Sequence, residues 1–407
     1  MLPMPRKLYK NARLILSPGR AGRGGDEGFL CEQDGLIHRL ELRSDQVDFE
    51  KHLSQEEEAC DAEVDCGGAY LAPGLIDLHC HGAMGRDTME ATTEAFEDIL
   101  NFHASKGTTL AVLTTVAASL EDMESVLVAA EDYQRETLGS RLGGIHLEGP
   151  YFSPYRRGAH REGMLRHPSS CETKELLRHA GVIVRMTLAP ELPGSLELIR
   201  VLVQQGITAS AGHSNATEEE ALKGFQSGCT QVTHLYNCMS SLRSEGGLRY
   251  TGLAEAALTS EEVLCEVIAD GCHLSPTLLR LAWLSKGWDS VAIVSDATAG
   301  TGLPENSPFE LGGLSCVVEE GAAWTGEGAD RRLAGSTIGM IDGVRVMVER
   351  VGVPLGEAVA MASLTPARSL GVDGERGSLE IGKRADLLQF SVEWQVEGVW
   401  SMGSPIG

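Results

Sequence analysis

Two histidines with one residue between them, His79 and His81 in Asp77-Leu78-His79-Cys80-His81, close a short apolar run. In an extended strand, residues two apart point the same way, so both imidazoles face one side. Further along, Glu148, His213, His234, His273 and Asp296 each follow another short apolar run. Imidazole and carboxylate ligands suit Zn²⁺, Fe²⁺ or Mn²⁺. Such a metal polarises a carbonyl and lowers the pKa of water toward ~7. A carboxylate beside it can move protons, and Asp296 is the candidate for that task. The chemistry indicated is metal-assisted hydrolysis. One histidine after a strand is ordinarily a hydrogen-bonded structural group, and His38, His52, His103, His167 and His179 are read that way. The argument rests on the joint placement of histidines and acids after strands one, three, five, six and eight of one chain.

The elements that must hold these residues alternate. Apolar runs at Tyr70–Leu78, Thr108–Leu113, Gly143–Leu147, Ile183–Leu188, Ile207–Ala211, Gln231–Thr233, Leu264–Ile268 and Val291–Ser295 read as strands. Amphipathic segments at Thr92–Lys106, Ser119–Leu138, Glu172–Ala180, Ser195–Gln205, Thr217–Ser227 and Ser275–Ser285 read as helices between them. Thr217 with Glu220 forms a capping box, and Pro276 follows Ser275 at a helix start. Eight strands alternating with helices predict a (β/α)8 TIM-like barrel, whose active site lies at the C-terminal strand ends. The Gly-rich stretch Leu303–Arg332 reads as a hairpin or loop excursion, followed by helices near Ile338–Val351 and Leu355–Ser363. Residues 1–69 and 376–407 carry short strand-like runs, with Asp34-Gly35 as a hairpin turn. These two ends are expected to build one small β-sandwich domain beside a barrel spanning 70–375. Gly19–Gly28 reads as a loop without nucleotide-binding context.

Bulk composition narrows the field. A chain of 407 residues accommodates a barrel of about 250 plus a smaller domain. Its formal net charge of −24 leaves no electrostatic case for nucleic acid or an anionic membrane. No window of about 18 apolar residues predicts a membrane span. The N-terminal MLPMPRKLYK is not followed by a signal-like apolar core, and the ten cysteines form no C-x-x-C pair. The expectation is a cytoplasmic protein with reduced thiols, in which the sequon at Asn215 is coincidental.

Several segments, in order, resemble the N-acetylglucosamine-6-phosphate deacetylases of the amidohydrolase superfamily. They are PGLIDLHCHG (73–82), HLEGP (146–150), AGHSNA (211–216), THLYN (233–237), IADG (268–271), SDAT (295–298) and LAGS (333–336). Many superfamily relatives place a carboxylated lysine after strand four, whereas this chain reads Thr187-Leu188-Ala189-Pro190 there. The resemblance implies that Glu148, His213 and His234 hold one divalent metal, zinc or iron. His79 and His81 would permit a second, bridged by Glu148, giving one or two metals per subunit. It implies Asp296 as proton carrier and His160, in Arg157-Gly158-Ala159-His160, as the donor to the acetyl carbonyl. Ala159, the backbone at Asn237 and Cys238, and His273 would bind the sugar phosphate, joined by an arginine from the neighbouring subunit of a homodimer. Arg249, or alternatively Arg243, matches that arginine. Cys238 stands where the family commonly has alanine, and the loop Ser240–Gly252 departs from the family pattern. Alternatives are a galactosamine epimer as substrate, another amidohydrolase such as a cyclic amidase or dipeptidase, and a barrel that has become a non-catalytic scaffold.

Overall fold

A computed structural model describes residues 6–19, 25–45, 48–137 and 141–406. The chain forms two compact units, Asp77–Phe102 with Ala111–Gly339, and Met1–Ile76 with His103–Leu110 and Met340–Gly407.

One sheet has eight strands in chain order: β1 (Leu75–Cys80), β2 (Thr108–Thr114), β3 (Leu142–Glu148), β4 (Ile183–Leu188), β5 (Thr208–Ala211), β6 (Cys229–Val232), β7 (Leu264–Ile268) and β8 (Val291–Val294). The residue pairings recorded from β2 to β8 are all parallel. Such strands are covered on both faces, which is why β2 and β8 read as unbroken buried runs. Just past β8 the sheet returns to β1. Asp296 N donates to His79 O at 2.9 Å and His81 N to Ala297 O at 2.7 Å. Asp77 adds a side-chain tie, accepting from Ser295 Oγ at 2.5 Å and Ser295 N at 3.2 Å. This is the expected TIM-like barrel. Its seam closes at the end where the chemically capable residues sit.

Several features differ from the sequence reading. The run expected as one strand over Tyr70–Leu78 is two strands, Tyr70–Pro73 and Leu75–Cys80, broken at Gly74. A side chain at Gly74 would meet Thr109 at 2.3 Å, so only glycine fits there. A helix at Leu253–Thr259 was not anticipated. Leu253, Ala254, Ala256 and Ala257 are buried, and Glu255 and Thr259 are the polar positions of its seven residues, too short a stripe to mark a helix. The capping box at Thr217 and the Ser275-Pro276 helix start are both present. The Gly-rich excursion is an antiparallel meander of Pro308–Leu311, Leu314–Glu319, Ala322–Thr325 and Arg332–Leu333.

In the second unit, strands from both chain ends share one eight-stranded sheet. Lys7–Leu14 runs antiparallel to Asp26–Gln33 and parallel to Ala62–Asp65 and Tyr70–Pro73, while Leu387–Phe390 pairs antiparallel with Tyr70–Pro73. Tyr9, Leu14, Leu30, Leu71, Leu387 and Trp400 pack into one cluster, with Tyr9 and Trp400 edge to face at 5.1 Å. Burying these side chains is what draws the chain ends together. Asp34 and Gly35 both have left-handed backbone, as a two-residue hairpin turn demands. Helix Phe49–Ala59 stands where only strand-like runs were expected. The loop expected at Gly19–Gly28 gives way to a strand from Asp26. Its residues 20–24, like Leu138 at the expected end of a barrel helix, lie outside the described residues.

Candidate metal centre

Each residue of the centre is carried to the barrel mouth by a strand end. His79 lies in β1 and His81 just beyond it, while Glu148 is the last residue of β3. His213, His234 and Asp296 each stand two residues past their strand, β5, β6 and β8. All three have positive φ, 47°, 32° and 49°. Left-handed backbone costs a non-glycine residue about 1–3 kcal/mol and persists only where its surroundings fix it. Here Leu235 N donates to Glu266 O, and Asp296 O accepts from Ser336 N at 2.7 Å. The LAGS motif therefore has a structural task. A Cβ on Gly335 would lie 2.7 Å from Asp296 O, so glycine lets Ser336 reach the Asp296 backbone.

Two groups of three potential ligands result, His79 with His81 and Asp296, and Glu148 with His213 and His234. His213 Nε2 and His234 Nε2 are 3.2 Å apart, and lie 3.2 and 3.1 Å from Glu148 Oε1. His79 Nε2 and His81 Nε2 are also 3.2 Å apart, 3.4 and 3.2 Å from Asp296 Oδ1. Glu148 faces both groups, with Oε1 3.5 Å from His79 and Oε2 3.3 Å from His81. Ligands about 2.0–2.2 Å from a tetrahedral metal lie about 3.3 Å from one another, so the donor set fits divalent metal. The far ring nitrogens are held in a complementary way. His213 Nδ1 donates to Arg156 O at 2.9 Å and His81 Nδ1 to Thr114 O at 3.2 Å, which leaves Nε2 for a ligand.

The electrostatics follow from this crowding. Burial opposes ionisation of Glu148, but His79 and hydrogen bonds from His160, His213 and His234 hold it well below the usual carboxylate range. Asp296 is likewise brought down to about 2, burial being outweighed by His79 and His81. Burial alone would lower His81 and His213. Asp296 and Glu148 instead raise His81 to about 9, and Cys238 and Glu148 raise His213 to about 10. Without metal, both rings therefore hold a proton at neutral pH that ligation must displace. Metal affinity is expected to fall as pH falls below about 10, and calorimetric titration with Zn²⁺ in two buffers of different ionisation enthalpy at about pH 7.5 should reveal release of about one proton or more per ion. Binding without proton release would contradict this electrostatic account.

His160 is different. Its Nδ1 accepts from Ala117 N at 3.2 Å, so the proton resides on Nε2, which lies 3.5 Å from Glu148 Oε2. Burial pushes its pKa down to about 4, leaving a neutral imidazole with an N–H directed into the centre. Phe152 holds this side of the site, stacked on His213 at 4.2 Å and edge-on to His160 at 4.9 Å. Arg332 Nε on the meander donates to Gly158 O at 3.1 Å, and Ala159 packs against the meander's core.

The remaining residues singled out from sequence divide. Cys238, with φ 49°, packs against Gly158 and His213; a Cβ on Gly158 would lie 2.6 Å from its sulfur. Asn237 precedes it, its side chain turned to Leu235 O at 3.4 Å. His273 is held by Asp270, Nδ1 to Oδ2 2.7 Å, and burial is outweighed so that its pKa is raised. Arg243 and Arg249 are instead exposed on the hairpin Arg243–Glu245/Leu248–Tyr250, with their polar contacts to Glu245 and Ser244 of the same hairpin. Phe152, Asp270, Asp77 and Glu266 were not singled out. IADG had marked the neighbourhood of Asp270, whereas nothing in the spacing marks an aromatic such as Phe152.

The amidohydrolase family matches residues 70–405. The chain is 33% identical over 342 residues to the N-acetylglucosamine-6-phosphate deacetylase of Vibrio furnissii, covering 84% of each chain. It is 35% identical over 335 residues to the N-acetylgalactosamine-6-phosphate deacetylase of Escherichia coli O157:H7, covering 82% of this chain and 86% of that one. The crystal structure of N-acetylglucosamine-6-phosphate deacetylase from Pasteurella multocida superposes with a TM-score of 0.87 at 29% identity, over 98% of this chain and 99% of that one. A Mycobacterium smegmatis deacetylase variant in complex with N-acetyl-D-glucosamine-6-phosphate gives 0.86 at 28% identity, over 98% and 99% of the two chains.

Proposed function

The chain belongs to the amidohydrolase family, and on that premise we propose that it hydrolyses N-acetylglucosamine-6-phosphate to glucosamine-6-phosphate and acetate. The observation that carries the reading is Glu148 lying against both ligand groups, with a neutral N–H donor and an ionised carboxylate facing the same centre. Glu148, His213 and His234 would hold one divalent metal, zinc or iron, and His79 and His81 a second that shares Glu148. When bound, the metal supplies Lewis-acid polarisation of the amide and acidifies the attacking water.

The chain's own residues do the rest. Asp296, held ionised by His79 and His81, accepts a proton from the attacking water and returns it to the leaving amine. His160 donates from Nε2 to the acetyl oxygen, a bond that strengthens as negative charge develops there. His273, fixed by Asp270, and the backbone at Asn237–Cys238 would bind the sugar phosphate beside Ala159. Arg249, or Arg243, would reach the phosphate from a neighbouring subunit. The exposed hairpin that carries both, with Leu242 just before it and Leu248 on it at 62% and 61% exposure, supports a homodimer. The reading includes a cytoplasmic enzyme. None of the described residues forms a disulfide, and none of the described helices is long and apolar enough to cross a membrane. It also takes residues 1–69 with 376–407 as a β-domain and 70–375 as the catalytic barrel.

His160→Gln is expected to lower kcat by about 10²–10³ with little change in KM, as for other donors to a developing oxyanion. Steady-state kinetics check this, and a rise in KM at constant kcat would assign His160 to ground-state binding instead. The galactosamine epimer remains a second reading, favoured by the E. coli relative. Comparing kcat/KM for the two N-acetylated 6-phosphates tests the proposal. A preference for the gluco epimer supports it, and a preference for the galacto epimer transfers it to the second.

A further inference from the structure

Behind the centre, the barrel interior holds a charged pair that ligation alone does not require. Arg185 on β4 and Glu266 on β7 are 1% and 0% exposed. Barrel interiors are ordinarily filled by Val, Ile and Leu, and burying two charges generally costs more than their attraction returns. Arg185 pairs with Glu266 Oε1, and its Nη2 donates to Ser210 Oγ on β5 at 3.2 Å. Ser210 continues to Thr233 at 2.6 Å, Thr233 to Thr187 at 2.7 Å, and Thr187 to His146 at 2.6 Å. The guanidinium is thus fixed in place and occupies one carboxylate oxygen.

The other oxygen faces the centre. Glu266 Oε2 lies 3.4 Å from His234 N and 3.6 Å from His79 Nδ1. That nitrogen is buried and has no hydrogen-bond partner at normal distance among the described residues, so Glu266 is the acceptor the structure offers it. A carboxylate accepting from the far nitrogen fixes a ligand histidine's tautomer and ring orientation.

We propose that Glu266, held by Arg185, is a positioning residue for His79, keeping its proton on Nδ1 and its Nε2 toward Glu148 and Asp296. Occupancy of the position formed by His79 and His81 then depends on a pair that touches neither metal nor substrate. The inference rests on the two-metal reading above.

The test is metal content and Zn²⁺ affinity of the full chain, measured by elemental analysis after desalting and by calorimetry. The parent should hold about two ions. Glu266→Gln should weaken one position by roughly 10–100-fold, leaving about one ion after desalting. Because that variant strands the Arg185 charge, the pair Arg185→Met with Glu266→Leu is measured beside it. Removing both charges should preserve folding, checked by near-ultraviolet circular dichroism, and should leave the same single ion. Two ions at parental affinity in a folded variant would overturn the inference, as would equal loss of both positions. One ion in the parent would overturn the two-metal reading along with it.

Discussion

Asp296→Asn is expected to lower kcat by about 10⁴-fold, the upper end of what a positioned acid–base group contributes. The effect should be large because, in the proposed role, Asp296 would act twice, as base toward water and as acid toward the departing amine. Asparagine preserves size and neighbours but cannot accept the proton. The substitution should therefore leave KM within about threefold, since the proposal assigns the sugar phosphate to other residues. Asp296 Oδ1 also lies 3.4 and 3.2 Å from the two β1-end imidazoles, so metal content must be measured in the same preparation. Activity within about tenfold of the parent would remove Asp296 from the proton path. A loss that tracks metal content would reassign it to ligation.

Glu148→Gln is expected to abolish both metal positions and reduce activity to background. Its two oxygens face four imidazoles across both groups, and its charge is what allows them to crowd together. In the parent, metal that binds only the folded chain should raise Tm, because such a ligand stabilises by mass action. In the variant that rise should vanish. Thermal melts with and without added Zn²⁺, paired with elemental analysis, check this. A parental metal content in Glu148→Gln would show that the carboxylate is not the shared ligand.

Much of this architecture was legible because the candidate residues and the fold obey one rule, that chemistry sits at the C-terminal ends of barrel strands. His79 with His81 could be paired from spacing alone, since a strand fixes the direction of alternate side chains. Glu148, His213, His234 and Asp296 could be placed at strand ends. Spacing did not reveal that His213, His234 and Asp296 reach the centre through left-handed backbone, since only tertiary bonds hold them there. His160 was reached by resemblance alone, because its tautomer depends on the Ala117 N–H, a contact 43 residues away in sequence. Helix Phe49–Ala59 was missed for a physical reason. It buries Phe49 and a charged residue, Glu56, which is paired with Arg6 and Arg39, so no apolar stripe marks it. Helix Leu253–Thr259 was missed because seven residues, with Glu255 and Thr259 as the polar positions, are too few to establish a period. Arg185 and Glu266 lie inside strands otherwise read as apolar, and only the closed barrel makes them neighbours.

The most direct test is to incubate the Zn²⁺-loaded chain with N-acetylglucosamine-6-phosphate and follow acetate and glucosamine-6-phosphate by proton NMR, beside the same protein stripped by chelation. Equimolar release of both products by the loaded chain, lost on stripping and restored by added metal, is the predicted result. Substrate that remains intact with metal-loaded, folded protein would contradict the assignment.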